Sequence, residues 1–181
     1  MSGTARRHLV VETPAGHEPE IERWLWALED TRQRTKAGLD GITQAVLDWT
    51  PPHGGDIIGT LLYHIAAIEA DWLYAEVLEG QESPRDVGNL FPYDVRDDKE
   101  QLTVLSGTPL ESHLHRLDVV RGKLLAAFRA MTMADFRRVR SLPDYDVTPE
   151  WVLHHLMQHE AEHRGQIGTL RELAEQRREA R

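Results

Sequence analysis

From Glu18 to about Asp48, apolar residues recur at helical spacing: Ile21, Trp24, Leu25 and Leu28, then Leu39, Ile42 and Val46. The pattern predicts one long amphipathic helix. Pro51 and Pro52 stop it, and Gly54-Gly55 make a turn. A second helix is expected from the N-cap Asp56 to about Glu79, ended by Gly80 and Pro84. Thr108-Pro109-Leu110-Glu111 reads as a capping box with proline at N1, opening a third helix that runs to about Ala130. Thr148-Pro149-Glu150 opens a fourth, to about Gln176.

The segments between them differ in character. Residues 1–17 hold no period and read as a loose N-terminal arm. Residues 81–106 contain Pro84, Gly88, Pro92 and a charged run from Arg96 to Glu100. That connection is unusually long for a bundle, and its Phe91 and Tyr93 make it a candidate lid. Residues 131–147 form an irregular connection with room for a short turn or strand. Four amphipathic segments without a convincing strand pair predict an all-α protein, an antiparallel four-helix bundle, with residues 1–181 as one domain. The long connection allows a crossover topology.

Composition narrows the function classes. There is no cysteine, which excludes disulfides, thiolate metal sites and a cysteine nucleophile. A net charge of −9 weighs against nucleic-acid binding, which needs a basic face. The arginines at 137, 138 and 140 and at 177, 178 and 181 read as solvated surface and a frayed tail. Met1 to Glu12 lacks the apolar run of a secretory signal, and no stretch nears the roughly 18 apolar residues of a membrane span. The expectation is a soluble, cytoplasmic protein with no membrane partner.

The chemistry lies in the histidines. His155, His159 and His163 fall four apart and form one helical stripe. Val152, Leu156, Gln166 and Leu170 share that side, so the stripe is read as the core face. His64 repeats the anomaly on the second helix, among Ile57, Leu61, Ile68 and Ala75. A buried imidazole without partners costs roughly 1–3 kcal/mol, and one shared metal ion would satisfy several rings at once. Two histidines at i and i+4 with a third from a facing helix form an open tripod suited to Zn²⁺, Ni²⁺, Cu²⁺ or Fe²⁺. Spacing alone leaves His155/His159 and His159/His163 as equal choices for the chelating pair.

His159-Glu160-Ala161-Glu162-His163 also matches the metalloprotease pattern H-E-x-x-H. The extended form of that motif needs a glycine and a histidine where this chain has Gln166 and Thr169. No edge strand is evident to hold a peptide. Glu160 is kept as a weak catalytic candidate that would assist a metal-bound water.

The segment Trp151 to Ile167, WVLHHLMQHEAEHRGQI, resembles the C-terminal signature of the DinB/YfiT-like superfamily. Gly59 to Trp72, GTLLYHIAAIEADW, resembles that family's second-helix motif. The resemblance implies a four-helix bundle with one divalent transition metal, zinc or nickel, held by His64, His159 and His163. His155 then becomes a neighbour of the site, with Gln166 and Trp72 as further pocket candidates. It also implies a homodimer acting on a small molecule. Members resembling this family include transferases and isomerases that use bacillithiol, mycothiol or glutathione. The expected activity is therefore metal-dependent S-transfer with a low-molecular-weight thiol as co-substrate. Hydrolysis by a metal-bound water is the alternative, and a non-catalytic metal-binding stress protein is a further one.

Overall fold

The computed structural model describes residues 9–179. Four long helices carry the fold: α1 (Pro19–Ala37), α3 (Ile58–Asp71), α5 (Leu110–Arg129) and α7 (Pro149–Glu179). Short helical turns lie between them: α2 (Gln44–Leu47), α4 (Arg85–Gly88) and α6 (Met133–Phe136). A two-residue hairpin, β1 (Arg140–Ser141) against β2 (Asp146–Val147), precedes α7. The protein is an all-α four-helix bundle.

Its helices pair in an unusual order. Glu22 meets Arg129 and Lys36 meets Asp118, so α1 and α5 are antiparallel. His64 meets His163 and Trp72 meets Trp151, so α3 and α7 are antiparallel as well. The other two sides run parallel. Trp24 packs on His154 and Arg171 donates to the Gly38 carbonyl, which aligns α1 with α7. Gly59 lies against His113 and Glu69 against Arg121, which aligns α3 with α5. A chain that leaves α3 at one end must therefore return the length of the bundle before α5 begins.

That return explains the long connection. It is packed along the α3/α5 seam. Phe91 meets Tyr63 edge-on at 5.5 Å, and Arg116 donates to the Leu90 carbonyl at 2.9 Å. Leu105 N–H donates to Thr60 Oγ1, and a Cβ at Gly59 would sit 2.8 Å from the Leu105 oxygen, so glycine is needed there. The segment is a strap closing a seam rather than a free lid.

Several expected boundaries move. The first helix ends at Gly38, and Gly41 takes a left-handed turn at φ 71°. The apolar period continues across this break because Leu39, in the turn, and Val46, in α2, are buried in the same core. Ile57, not Asp56, precedes α3, and no side chain caps it. The capping box at Thr108 is not made, and α5 starts at Leu110. Thr148 does cap α7, its Oγ1 accepting from Trp151 N–H at 3.2 Å. Residues 9–17 contain no helix or strand, and the first eight residues of the expected arm lie outside the described ones.

The second helix does not stay α-helical. Trp72–Val77 is a π-turn, with Leu78 N–H reaching back to the Leu73 carbonyl. One extra residue in the turn rotates the downstream chain about the helix axis, a device frequent at functional sites.

The core holds two large apolar clusters and a small third one of Ala70, Val87 and Val120. One large cluster gathers Leu25, Leu28, Leu73, Leu124, Phe128 and Leu156. The other gathers Leu39, Leu61, Leu62, Ile65, Leu117 and Ile167. On every long helix a polar residue separates the two: Arg32, Glu69, Arg121 and Glu160. Of the arginines expected on solvated surface, Arg137 and Arg138 are exposed and Arg140 is buried. Arg137, Arg138 and Arg140 pair with Glu20, Glu79 and Asp135. The expected frayed tail is helical to Glu179, where Arg178 donates to Thr43 Oγ1. Arg181 lies outside the described residues. Among the described residues, no helix is long and apolar enough to cross a membrane.

Candidate metal centre

The site is built where α3 and α7 cross antiparallel. His64 projects from the middle of α3, and His159 and His163 project from adjacent turns of α7. Nε2 of His159 lies 3.1 Å from Nε2 of His64 and 3.1 Å from Nε2 of His163. One ligand atom from each ring falls within 4.8 Å of the other two. Around a tetrahedral ion with metal–nitrogen bonds of ~2.0–2.1 Å, nitrogens stand roughly 3.3 Å apart. The three histidines can hold one divalent ion.

Two observations test that fit against a hydrogen-bonded core. His64 is buried, and its Nδ1 has no partner among the described residues. That nitrogen is orphaned at a cost of roughly 1–3 kcal/mol with or without an ion on Nε2, so the fit is carried by the three ring nitrogens converging at the spacing of an ion's ligands. The protonation state agrees. Burial, with the charges of His163 and Arg96, pushes His64 down to about 4. Burial and the neighbouring histidines push His159 down to about 3. Both rings are neutral near pH 7, the form that ligates metal.

The outer partner of the site is Gln166, whose Oε1 lies 2.8 Å from His163 Nδ1. With Nδ1–H donating to that oxygen, the Nε2 lone pair of His163 faces its two fellows. His159 and His163 are half-buried, so the outer side of the cluster is open to solvent.

The sequence pattern assigned the histidine stripe to the core face of its helix. The structure places it at the α3/α7 seam, and the residue aimed into the bundle centre is Glu160. Glu160 is 1% exposed. Its Oε1 accepts from Arg32 Nε at 2.8 Å and its Oε2 from Arg121 at 3.0 Å. The same two arginines bind Glu69, Arg32 at 2.6 Å and Arg121 at 2.7 Å. Each long helix thus contributes one member. Both oxygens of Glu160 are taken up by arginines and neither belongs to the histidine cluster, so the geometry does not support the general-base role weighed for it.

His155 lies apart from the cluster, in an aromatic stack. It lies parallel to Trp151 at 5.1 Å and tilted against Trp72 at 4.6 Å, with its centroid 5.9 Å from that of His159. Trp72 lines a cleft of ≈ 600 Å³ with Tyr145 and Trp151. Sequence reasoning missed Tyr145, Glu76 and the four-residue ion network. The i, i+4 spacing of Trp151 and His155 was a usable signal for the stack.

A four-helix bundle with a three-histidine cluster between facing helices is an arrangement able to hold a metal ion, and comparison with known proteins gives the family of the chain. The profile of the DinB superfamily matches residues 27–167. The chain belongs to the DinB superfamily. Among solved structures it is similar to YfiT from Bacillus subtilis, described as a probable metal-dependent hydrolase with an unusual four-helix bundle topology. The two share 20% sequence identity at a TM-score of 0.59, over 88% of this chain and 90% of the other. No curated protein matches the sequence.

Proposed function

We propose that this protein is a metal-dependent enzyme whose His64, His159 and His163 hold one zinc or nickel ion, and that it transfers a group to or from a small-molecule thiol. The observation that carries the reading is the convergence of three imidazole nitrogens from two helices on one half-open point. Three protein ligands leave positions free, which is the catalytic arrangement. An ion bound there would supply a Lewis acid able to keep a thiol ionised at neutral pH. The chain's own residues do the remaining work. Gln166 fixes the tautomer of His163, and the buried Arg32–Glu69–Arg121–Glu160 layer sets the rotation of α7 that turns His159 and His163 toward His64.

Thiol transfer is preferred to hydrolysis on a specific ground. Hydrolysis profits from a general base beside the ion. The nearest sequence candidate, Glu160, is held by two arginines, and the ligand cluster contains histidines alone. A metal-held thiol needs no such base. The partner in this reading is a small molecule rather than nucleic acid or membrane, and the assembled form is a homodimer in the cytoplasm.

Metal content measured by mass spectrometry, on protein purified without a nickel column, tests the site. The expected result is about one ion per chain, lost in His64→Ala and His159→Ala. Cobalt-substituted protein titrated with a small thiol then separates the two chemistries. A new sulfur-to-cobalt charge-transfer band supports transfer. An unchanged spectrum, beside ester hydrolysis that rises with pH, would turn the assignment to hydrolase.

A further inference from the structure

The π-turn, the β1–β2 hairpin and the first turns of α7 enclose the ≈ 600 Å³ cleft lined by Trp72, Val139, Tyr145, Val147 and Trp151. Trp72 is the hub. Its ring centroid lies 6.1 Å from that of Tyr145 and 5.4 Å from that of Trp151, with the planes inclined by 40° and 43°. The three rings therefore form a curved wall rather than a flush stack. Tyr145 and Trp151 are 45% and 47% exposed, so their faces are open to a ligand.

Behind this wall stands an acid. Glu76 is only 6% exposed, in a place where an isolated carboxylate is costly. Tyr145 hydroxyl donates to its Oε1 at 2.8 Å. Its Oε2 is buried without a partner among the described residues. Burial raises the Glu76 carboxyl above its ordinary range. The hydrogen bond to Glu76 and burial push Tyr145 up to about 12, with the negative charges of Glu76, Asp71 and Asp144 adding to the shift. Asp146 lies in the cleft lining, and no lysine or arginine does. Arg138 and Arg140, on either side of Val139, are bonded to Glu79 and Asp135.

We propose that this cleft binds an organic cation, a quaternary or substituted ammonium group, against Trp72, Tyr145 and Trp151, with Glu76 as its counter-charge. Aromatic faces attract cations through their negative quadrupole, most strongly when the cation is poorly hydrated. A purely apolar ligand would give no reason for a buried acid behind the wall. A strongly hydrated inorganic ion would lose its water to rings that cannot replace it. The ring of His155 joins the cleft to His159, which places the cleft as a recognition subsite beside the metal cluster. That placement rests on the metal reading; the binding of the cation does not.

Calorimetric titration with choline and with its neutral isostere 3,3-dimethylbutan-1-ol tests the proposal, on metal-stripped and zinc-loaded wild-type protein. Trp151→Leu and Glu76→Gln are run beside it, with thermal melts as folding controls. Trp151 is half-exposed, and glutamine can still accept from Tyr145, so both variants should fold. The expected result is choline bound about tenfold more tightly than the isostere, with that preference lost in both variants. Equal affinity for the two probes, or no saturable choline binding, would overturn the proposal, as would a preference kept by both variants. Choline binding in the metal-stripped protein supports the cleft even if no metal is ever taken up. Metal uptake without choline binding sinks the cleft alone.

Discussion

Midway along the bundle, α7 presents two polar surfaces that meet opposite fates. On one, Glu160 points to the centre and finds Arg32 and Arg121, which also grip Glu69, so both carboxylates are engaged. On the other, His159 and His163 meet His64 at the α3 seam, and a buried nitrogen is left over. Adjacent positions in sequence thus give one closed network and one open cluster. A polar layer that satisfies itself has no use for a ligand; three imidazole nitrogens that converge on one point with a side open can take one. Burial already ranks Glu160 above the half-buried His159 and His163, and the hydrogen bonds show that only the Glu160 layer closes on itself.

The closed layer should give the largest effect when broken. Glu160→Ala leaves Arg32 and Arg121 short of a counter-charge in the core, and removing one partner of such a network costs roughly 3–5 kcal/mol. Urea unfolding should show that loss. A change below about 1 kcal/mol would mean that water reaches the network and that the contrast between the two surfaces is weaker than their geometry. The open cluster should respond in the opposite sense to its ligand. Added zinc at 100 times its Kd should stabilise the wild type by about 2.7 kcal/mol and leave His159→Ala unmoved. His64→Ala in the metal-free protein should lose little, since it removes a ring with an unpaired nitrogen.

Acid should separate the two surfaces in order. In the metal-free protein, burial lowers His64 to about 4, His113 to about 4 and His159 to about 3. Between those values and an unfolded value near 6.5, the unfolded chain binds protons that the folded chain refuses. Their contribution is whole above about pH 6.5 and is lost as pH falls toward 4. Burial alone would raise the Glu69 carboxyl, but the charges of Arg121 and Arg32 overcome it and hold the group below its ordinary value. The stability from Glu69 is therefore present above about pH 4.5 and fades only below it. Urea midpoints taken from about pH 7.5 down to 3.5 should fall first through the histidine range and again at the carboxylate. A flat midpoint down to about pH 5 would contradict the histidine assignment.

The features legible in the chain order are the local ones. Residues four apart on a helix share a face whatever the tertiary fold, so His159 and His163 were readable as a pair, and His64 stood out among Leu61 and Ile68. The partners of Glu160 were not readable. Arg32, Glu69 and Arg121 sit on three other helices, and nothing in a helical period says which helices will be neighbours. The parallel pairing of α3 with α5 was hidden for the same reason, although the length of residues 81–106 hinted that the chain had far to travel. The π-turn at Trp72–Val77 left no mark, because one inserted residue does not change which residues are apolar. The break at Gly38 was masked by burial on both sides of it: α1 and α2 feed apolar residues to the core, so the pattern ran on where the helix did not.

Gln166 gives the smallest effect and the sharpest discrimination. It is exposed, so it contributes little to packing, and its one bond in the site is to His163 Nδ1 at 2.8 Å. If the histidines were a self-contained polar cluster, Gln166→Leu would cost a few tenths of a kcal/mol in stability and nothing else. If they hold a metal, the bond fixes which nitrogen of His163 carries the proton, and outer partners of this kind are typically worth about 10–100-fold in metal affinity. Zinc titration of Gln166→Leu against a competing chelator should therefore show about a tenfold weaker Kd, with an unfolding midpoint in metal-free buffer close to wild type. Gln166→Glu should restore the affinity or exceed it, since a carboxylate accepts the same proton more strongly. Equal affinity in all three proteins would mean that His163 sets its own tautomer. The open surface of α7 would then owe its geometry to the helix crossing alone.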